Sequence, residues 1–530
     1  MTSIREEKLN MKRSHRLLIL FSLLGLFLFG DIALGQMTDN TQATNTAGAG
    51  INKSLTDEIG AGRGSVSTPG SSIYLIKRDP FRSIRRGRQL FQRKFTRAQG
   101  QGPNEGDGVG DLNTDIAIGA GLADSCALCH GRPRGSAGAG GNVVTRPDSR
   151  DAPHLFGLGL REMIADEITS DLRAQRSGAV ARARQSHRAV TVALESKGIR
   201  YGSLTANPDG SVNTSKLSGV DADLRVKPFF AEGSAFSIRQ FIVGALHNEM
   251  GLEASADPDI LAASKGLRVV TPSGMVLDGS LDAISPPPAP DPENGNEVDP
   301  AIVDHLEFYL LNYFKPAHGE QDESTDLGRR LFNQVGCDSC HVANFVINHD
   351  RRVADVETAY DPLHGIFNRM YATATTLFYS PNTGVSDPPK LPLGNPFLVK
   401  DIFTDFKRHD LGPNFYERNW DGTMQEQFMT RPLWGVGSTG PYGHDERSLT
   451  LNDVILRHGG EAQQARDSFA ALPAEQRNAL IAFLNSLILF PPDDTASNLD
   501  PGDPGTPNFP QFGHGSIKLT VLFNDPTDLE

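Results

Sequence analysis

Two short runs set the terms for this chain: Cys126-Ala-Leu-Cys129-His130 and Cys337-Asp-Ser-Cys340-His341, both C-x-x-C-H. Between them they use all four cysteines of the 530-residue sequence. An even cysteine count in an exported protein reads first as disulfides. Redox-active C-x-x-C pairs and a zinc site assembled from both pairs are two further readings of the thiols alone. Neither of those requires a histidine directly after each second cysteine. Covalent haem does, because two thiols form thioethers with the vinyl groups while the next histidine ligates the iron. One helical turn gathers all three groups around a porphyrin edge. The spacing therefore points to two haem c groups, with His130 and His341 as iron ligands.

The compartment agrees, since haem c is attached outside the cytoplasm. Lys12, Arg13 and Arg16 precede the apolar run Leu17 to Gly30, and small residues follow at Ala33 and Gly35. This predicts a signal peptide over residues 1–35, cleaved after Gly35, with an uncleaved anchor as the alternative. The run is short for a membrane span, which needs about 20 residues. No later segment is apolar for long enough to cross. The expected location is the periplasm. A formal charge of −13 argues against a nucleic-acid footprint. The basic run Lys77 to Arg97 reads as a solvated, partly helical face.

The motifs sit inside a repeat. "GRQLFQ" (Gly87 to Gln92) precedes the first, and "GRRLFN" (Gly328 to Asn333) precedes the second. A Gly- and Asp-rich insertion separates the first pair of features; the second pair is almost contiguous. Each unit closes on a helical pattern, Val303 to Phe314 and then Pro473 to Phe490, with proline suited to a first turn. Helix, haem motif and closing helix is how a cytochrome c fold wraps its cofactor. The expected fold is mainly α, two cytochrome c-like haem domains with long loop insertions and a small β hairpin. The expected boundaries are a flexible segment over 36–71, a haem domain over 72–315, a second over 324–490, and a Pro/Gly/Asp-rich tail over 491–530. The hairpin is expected around Asp209-Gly210, and Ser285 to Pro300 reads as a proline-rich loop.

Three further stretches carry a resemblance: Arg150 to Ile164, Phe229 to Leu252, and Thr430 to Ala462. With the two motifs they make the chain similar to the di-haem cytochrome c peroxidase superfamily, in its "di-haem oxidoreductase, putative peroxidase" branch. The resemblance covers most of Ser72 to Phe490. It implies one haem that meets peroxide and a second that takes electrons from a small redox protein of cytochrome c or cupredoxin type. In the relatives the second haem is completed by a methionine, in the pattern Leu-x-x-Ala-Val-x-x-Met. Here that register reads Leu451-Asn-Asp-Val454-Ile455-Leu-Arg-His458. The resemblance thus makes His458 the sixth ligand of the haem held by Cys337, Cys340 and His341, and methionine-free ligation lowers the expected potential. His444, in "PYGHDERS", is the rival; Tyr442, His444, Asp445 and Arg447 are expected to shape the pocket or meet propionates. The relatives carry glycine where this chain has Glu446.

On the peroxide side, the same resemblance matches Glu249 and Gln240 to a catalytic glutamate and glutamine, which would move a proton between the peroxide oxygens. The distal ligand of the first haem stays open among His154, His247, water or none. Phe229 and Phe230 stand where relatives usually have a tryptophan between the haems. The expected activity is reduction of hydrogen peroxide; a di-haem electron carrier and a di-haem oxygenase or protein-modifying oxidase are the alternatives. Calcium at the domain interface and homodimerisation, both common in relatives, are left open.

Overall fold

The computed structural model describes residues 54–102, 122–131, 137, 139–143, 150–291, 295–313, 321–361, 366–374, 396–419 and 421–489. The expected signal peptide over 1–35, the tail over 491–530 and all but the first three residues of the Gly/Asp-rich insertion over 100–115 lie outside the described residues. The site is positioned by α1 (Pro80–Gln92), α2 (Cys126–His130), α3 (Leu158–Ser186), α4 (Ile238–Met250), α5 (Pro300–Asn312), α6 (Glu323–Gln334), α7 (Leu451–Arg457) and α8 (Ala474–Asn485). Helix dominates, and strands form small antiparallel sheets. The largest of these in strand number is β1 (Val190–Ser196), β2 (Ile199–Ala206) and β3 (Val212–Leu217), in that order. Its second hairpin turns through Asn207–Ser211, where the Asp209 carboxylate accepts from the Ser211 amide at 2.9 Å. Among the described residues no helix is long and apolar enough to cross a membrane.

The helix starts are written locally. Asp79 caps α1 through the Arg82 amide, with Pro80 in the first turn, and Asp299 and Pro300 do the same for α5. Asp322 and Thr325 form a reciprocal capping box on α6. Pro473 stands one residue before α8, as its cap, rather than inside the first turn.

The repeat has a physical basis in both copies. α1 packs on α5 and α6 packs on α8. In the first pair Gly87 lies against the His305 carbonyl and the Tyr309 Cβ; in the second Gly328 lies against the Ala479 carbonyl and the Phe483 Cβ. A Cβ at either position would collide with backbone, so glycine lets each helix pair approach closely. Four residues after each glycine comes a phenylalanine that reaches the motif histidine. Phe91 lies 6.5 Å from the His130 ring and 5.8 Å from Tyr309. Phe332 lies 6.2 Å from the His341 ring and 5.6 Å from Phe483.

α5 is buried along nearly its whole length, including Asp304, His305 and Glu307. Buried charges persist when paired and hydrogen-bonded. Here Arg239 of α4, itself fully buried, meets Asp257 and Asp304, with Glu307 at 3.0 Å and Asp259 at 3.5 Å. This cluster pins α4 against α5 and so fixes the helix that carries Glu249.

Two regions differ from their sequence reading. The basic run is not a solvated face: Arg85, Arg86 and Arg88 are all buried. The segment expected to be flexible over 36–71 is packed from Ser54 onward and covers α1. Arg86 donates to the Gly70 carbonyl at 3.0 Å, and Arg93 pairs with the buried Glu58 at 2.9 Å. Arg63 holds the same segment down by bridging Asp259 at 2.7 Å and Asp304 at 3.1 Å.

Candidate functional site

Each C-x-x-C-H motif opens onto its own cavity. The first, about 310 Å³, is lined by Cys126, Cys129 and His130 together with Phe229, Phe230 and one face of α4. The second, about 560 Å³, is lined by Cys337, Cys340, His341, His458 and His444. Pro153, Arg161, Ala231 and Arg431 line both, so the two cavities share a wall.

The thiols behave as inert attachment points. None of the four is in a disulfide. Burial pushes the Cys126 and Cys337 thiols up to about 12, and burial followed by the Glu249 charge pushes Cys129 up to about 11. A redox-active C-x-x-C pair needs the opposite shift. Nor does any metal-sized cluster among the described residues combine cysteines of both motifs, as a shared zinc would require.

The histidines are set as iron ligands usually are. His130 Nδ1 donates to the Pro153 carbonyl at 2.7 Å, and His341 Nδ1 donates to the Phe403 carbonyl at 2.9 Å. A carbonyl accepts only, so each imidazole carries its proton on Nδ1, the tautomer that offers Nε2 to a metal. Burial, with the His458 charge contributing, lowers His341 to about 4, which keeps it neutral and ligand-competent. The residues present fit haem c at both motifs.

His458 ends α7, whose start is fixed by a Thr450–Asp453 capping box. Its Nδ1 donates to the Val454 carbonyl at 2.6 Å, repeating the pattern of the two motif histidines. It shares the second cavity with His341, and burial lowers its pKa. His444 lines that cavity too, stacked on Phe428 at 4.0 Å with its Nε2 buried and lacking a hydrogen bond. Tyr442 is a third lining residue. Asp445 instead receives Arg457 at 2.8 Å, and Arg447 faces solvent. Glu446 adopts φ +56°, the left-handed region where relatives place glycine.

The first cavity receives only part of its expected set. On α4, Phe241, Ile242, Ala245, Leu246, Asn248 and Glu249 line it. Gln240 does not; its side-chain oxygen accepts from the Phe236 amide at 3.3 Å, back at the helix start. His247 pairs with Glu253 at 2.9 Å and lines neither cavity. His154 lines the second cavity rather than the first, and its Nε2 donates to the Trp434 carbonyl at 2.6 Å. Among the described residues, His130 is thus the one histidine lining the first cavity. Asn248, Arg161 and Arg431 were missed from sequence.

Glu253, Asp291 and Glu297 form a separate carboxylate cluster away from both cavities. Burial and the neighbouring Glu253 raise Glu297 to about 8, so the cluster holds a proton at neutral pH.

The model of the family described as "Di-haem oxidoreductase, putative peroxidase" matches residues 397–487. Over that stretch the chain is similar to the di-haem oxidoreductase family. The matched span contains Arg431, His444 and His458 but neither C-x-x-C-H motif. No curated protein matches the chain. Among solved structures, hydrazine synthase from Kuenenia stuttgartiensis, pressurised with 20 bar xenon, is similar over 80% of this chain and 94% of that one. The identity is 14% and the TM-score 0.32.

Proposed function

We propose that this protein is an exported di-haem c-type oxidoreductase that reduces hydrogen peroxide at the Cys126–His130 centre, using electrons received at the Cys337–His341 centre. Haem c bound at the two motifs would supply the redox irons, one open to peroxide and one that relays electrons. The observation that carries the reading is the asymmetry of the cavities. The second offers His458 as well as its motif histidine His341, while the first offers a carboxylate, Glu249, and an amide, Asn248.

Glu249 suits the proton work of peroxide cleavage: it can take the proton from one oxygen and return it to the other. Asn248 can hold the peroxide by hydrogen bonds while this happens. Phe229, Phe230 and Phe241 restrict water on the same side. Two electrons and two protons convert one peroxide into two waters, so a reduced small redox protein, of cytochrome c or cupredoxin type, is the required partner. The setting is the periplasm.

The test is an optical and EPR study of the ferric protein with and without hydrogen peroxide, followed by turnover with a reduced cytochrome. A high-spin signal lost on adding peroxide, together with donor oxidation, supports the peroxidase reading. Two low-spin haems unmoved by peroxide even after partial reduction would leave an electron carrier.

A further inference from the structure

Arg161 is a buried arginine for which no anion is found among the described residues. It lies in the first turn of α3, is 8% exposed, and lines both cavities. One Nη donates to the Pro228 carbonyl, and the guanidinium sits over the Phe229 ring with its carbon 5.5 Å from the centroid. Its Nε is buried without a hydrogen bond, and among the described residues no carboxylate pairs with it. The other buried arginines nearby are all compensated: Arg150 by Glu417 at 2.5 Å and Glu232 at 2.7 Å, Arg225 by Asp282 and Asp166, each at 2.7 Å, and Arg351 by Glu162 at 2.6 Å.

A second cation acts on Arg161 across this wall. Arg431 lines the same shared wall. Burial and then the Arg431 charge depress Arg161 to about 9, with no acid among the causes. A buried cation beside another cation is costly unless an anion joins it. Both arginines face the two cavities opened by the haem motifs. Once the thioethers and the iron ligand are fixed, the charged groups a haem c still has to place are its propionates.

We propose that Arg161, with Arg431, is a shared propionate clamp that binds carboxylates of the haems in both cavities and ties their reduction potentials to one pair of charges. This rests on the reading that haem c is attached at both motifs. A guanidinium near a haem disfavours the ferric state, which carries one more positive charge, and so raises the potential. Loss of Arg161 exposes the propionate charge and lowers it. Because the clamp is shared, both haems must respond.

The experiment is spectroelectrochemical titration of the full-length holoprotein and of Arg161→Gln, Arg161→Lys and Arg431→Gln, with haem content checked by intact mass. In Arg161→Gln the oxidised-to-reduced ratio at a fixed potential is expected to rise about tenfold for each haem, a fall of about 59 mV for a one-electron couple. Arg161→Lys, which keeps the charge, should lie between this variant and the parent. Should Arg161→Gln fail to assemble, Arg161→Lys and Arg431→Gln decide, and each must lower both potentials. Two haems per chain with both potentials unmoved, or with one alone moved, overturns the clamp and leaves the proposed function standing. A parent protein without covalent haem overturns both.

Discussion

The Nδ1 of His458 donates to the carbonyl of Val454, four residues earlier, across 2.6 Å. The same bond, imidazole to backbone carbonyl, orients His130 on Pro153 and His341 on Phe403. With haem at both motifs, as proposed, these three histidines of one tautomer would give each iron a proximal ligand and leave one histidine over. His458→Ala should therefore convert one low-spin haem to high spin in the ferric EPR spectrum. His458→Met should keep that haem low-spin while raising its midpoint potential, since thioether ligation raises haem potentials. An unchanged low-spin signal in His458→Ala would transfer the role to His444.

The two glycines that open the repeated "GR-x-LF" runs face helix backbone, so alanine at either must push two helices apart. Overpacking of this kind costs about 1–3 kcal/mol. Gly328→Ala should lower the unfolding free energy of the holoprotein, read from denaturant unfolding, by that amount, and Gly87→Ala should do likewise. No destabilisation in either variant would mean that the close approach is not a stability constraint.

The contrast between Gln240 and Glu249 shows what was legible in the sequence. Nine residues at 3.6 per turn place them about 180° apart on one helix. Only one could enter the cavity, and the resemblance alone had paired them. The motifs and the "GR-x-LF" runs were readable because each depends on spacing within a turn or two of helix, whereas His458 was singled out by the resemblance. Arg161 and Arg431 were not, because nothing local announces that segments 270 positions apart in the chain share one wall. The burial of Arg85, Arg86 and Arg88 was hidden for the same reason: a basic run looks solvated until the preceding segment folds over it.

Arg239 is surrounded by four acids and has no exposure to water. Its removal leaves those carboxylates buried without a cation, a loss of about 3–5 kcal/mol. Arg239→Met should destabilise the protein by that much in urea unfolding. Adding Asp304→Asn to it should cost less than Asp304→Asn does alone, because the partner is already gone. Additive losses in that cycle would break the claim that the cluster acts as a unit.

Glu297 gives a pH dependence with a definite sign. Its carboxyl is raised from 4.5 to about 8, by burial first and by Glu253 next. The folded state therefore holds a proton that the unfolded chain releases above its ordinary value. Its contribution to stability is full below about 4.5 and is lost as pH rises through about 8. Glu297→Gln removes that titration. The variant should melt higher than the parent at pH 8.5 and show a smaller melting-temperature difference between pH 5 and pH 8.5. Equal differences in the two proteins would show that Glu297 is already ionised across this range.

Glu249 and Asn248 are adjacent on α4 and both line the first cavity, and Glu249 acts electrostatically on Cys129. A carboxylate in that position can shuttle a proton; its amide isostere can hydrogen-bond but cannot. Glu249→Gln should lower kcat/KM for peroxide by about 10²- to 10⁴-fold, the usual worth of a positioned acid–base group. Haem content and ferric spin state should hardly change, which separates proton transfer from a folding defect. Asn248→Ala should weaken peroxide binding more than it slows turnover, because an amide positions substrate without moving its proton. Gln240→Ala supplies the contrast from the opposite face of the same helix. A loss there as large as in Glu249→Gln would put the proton path on the wrong side of α4.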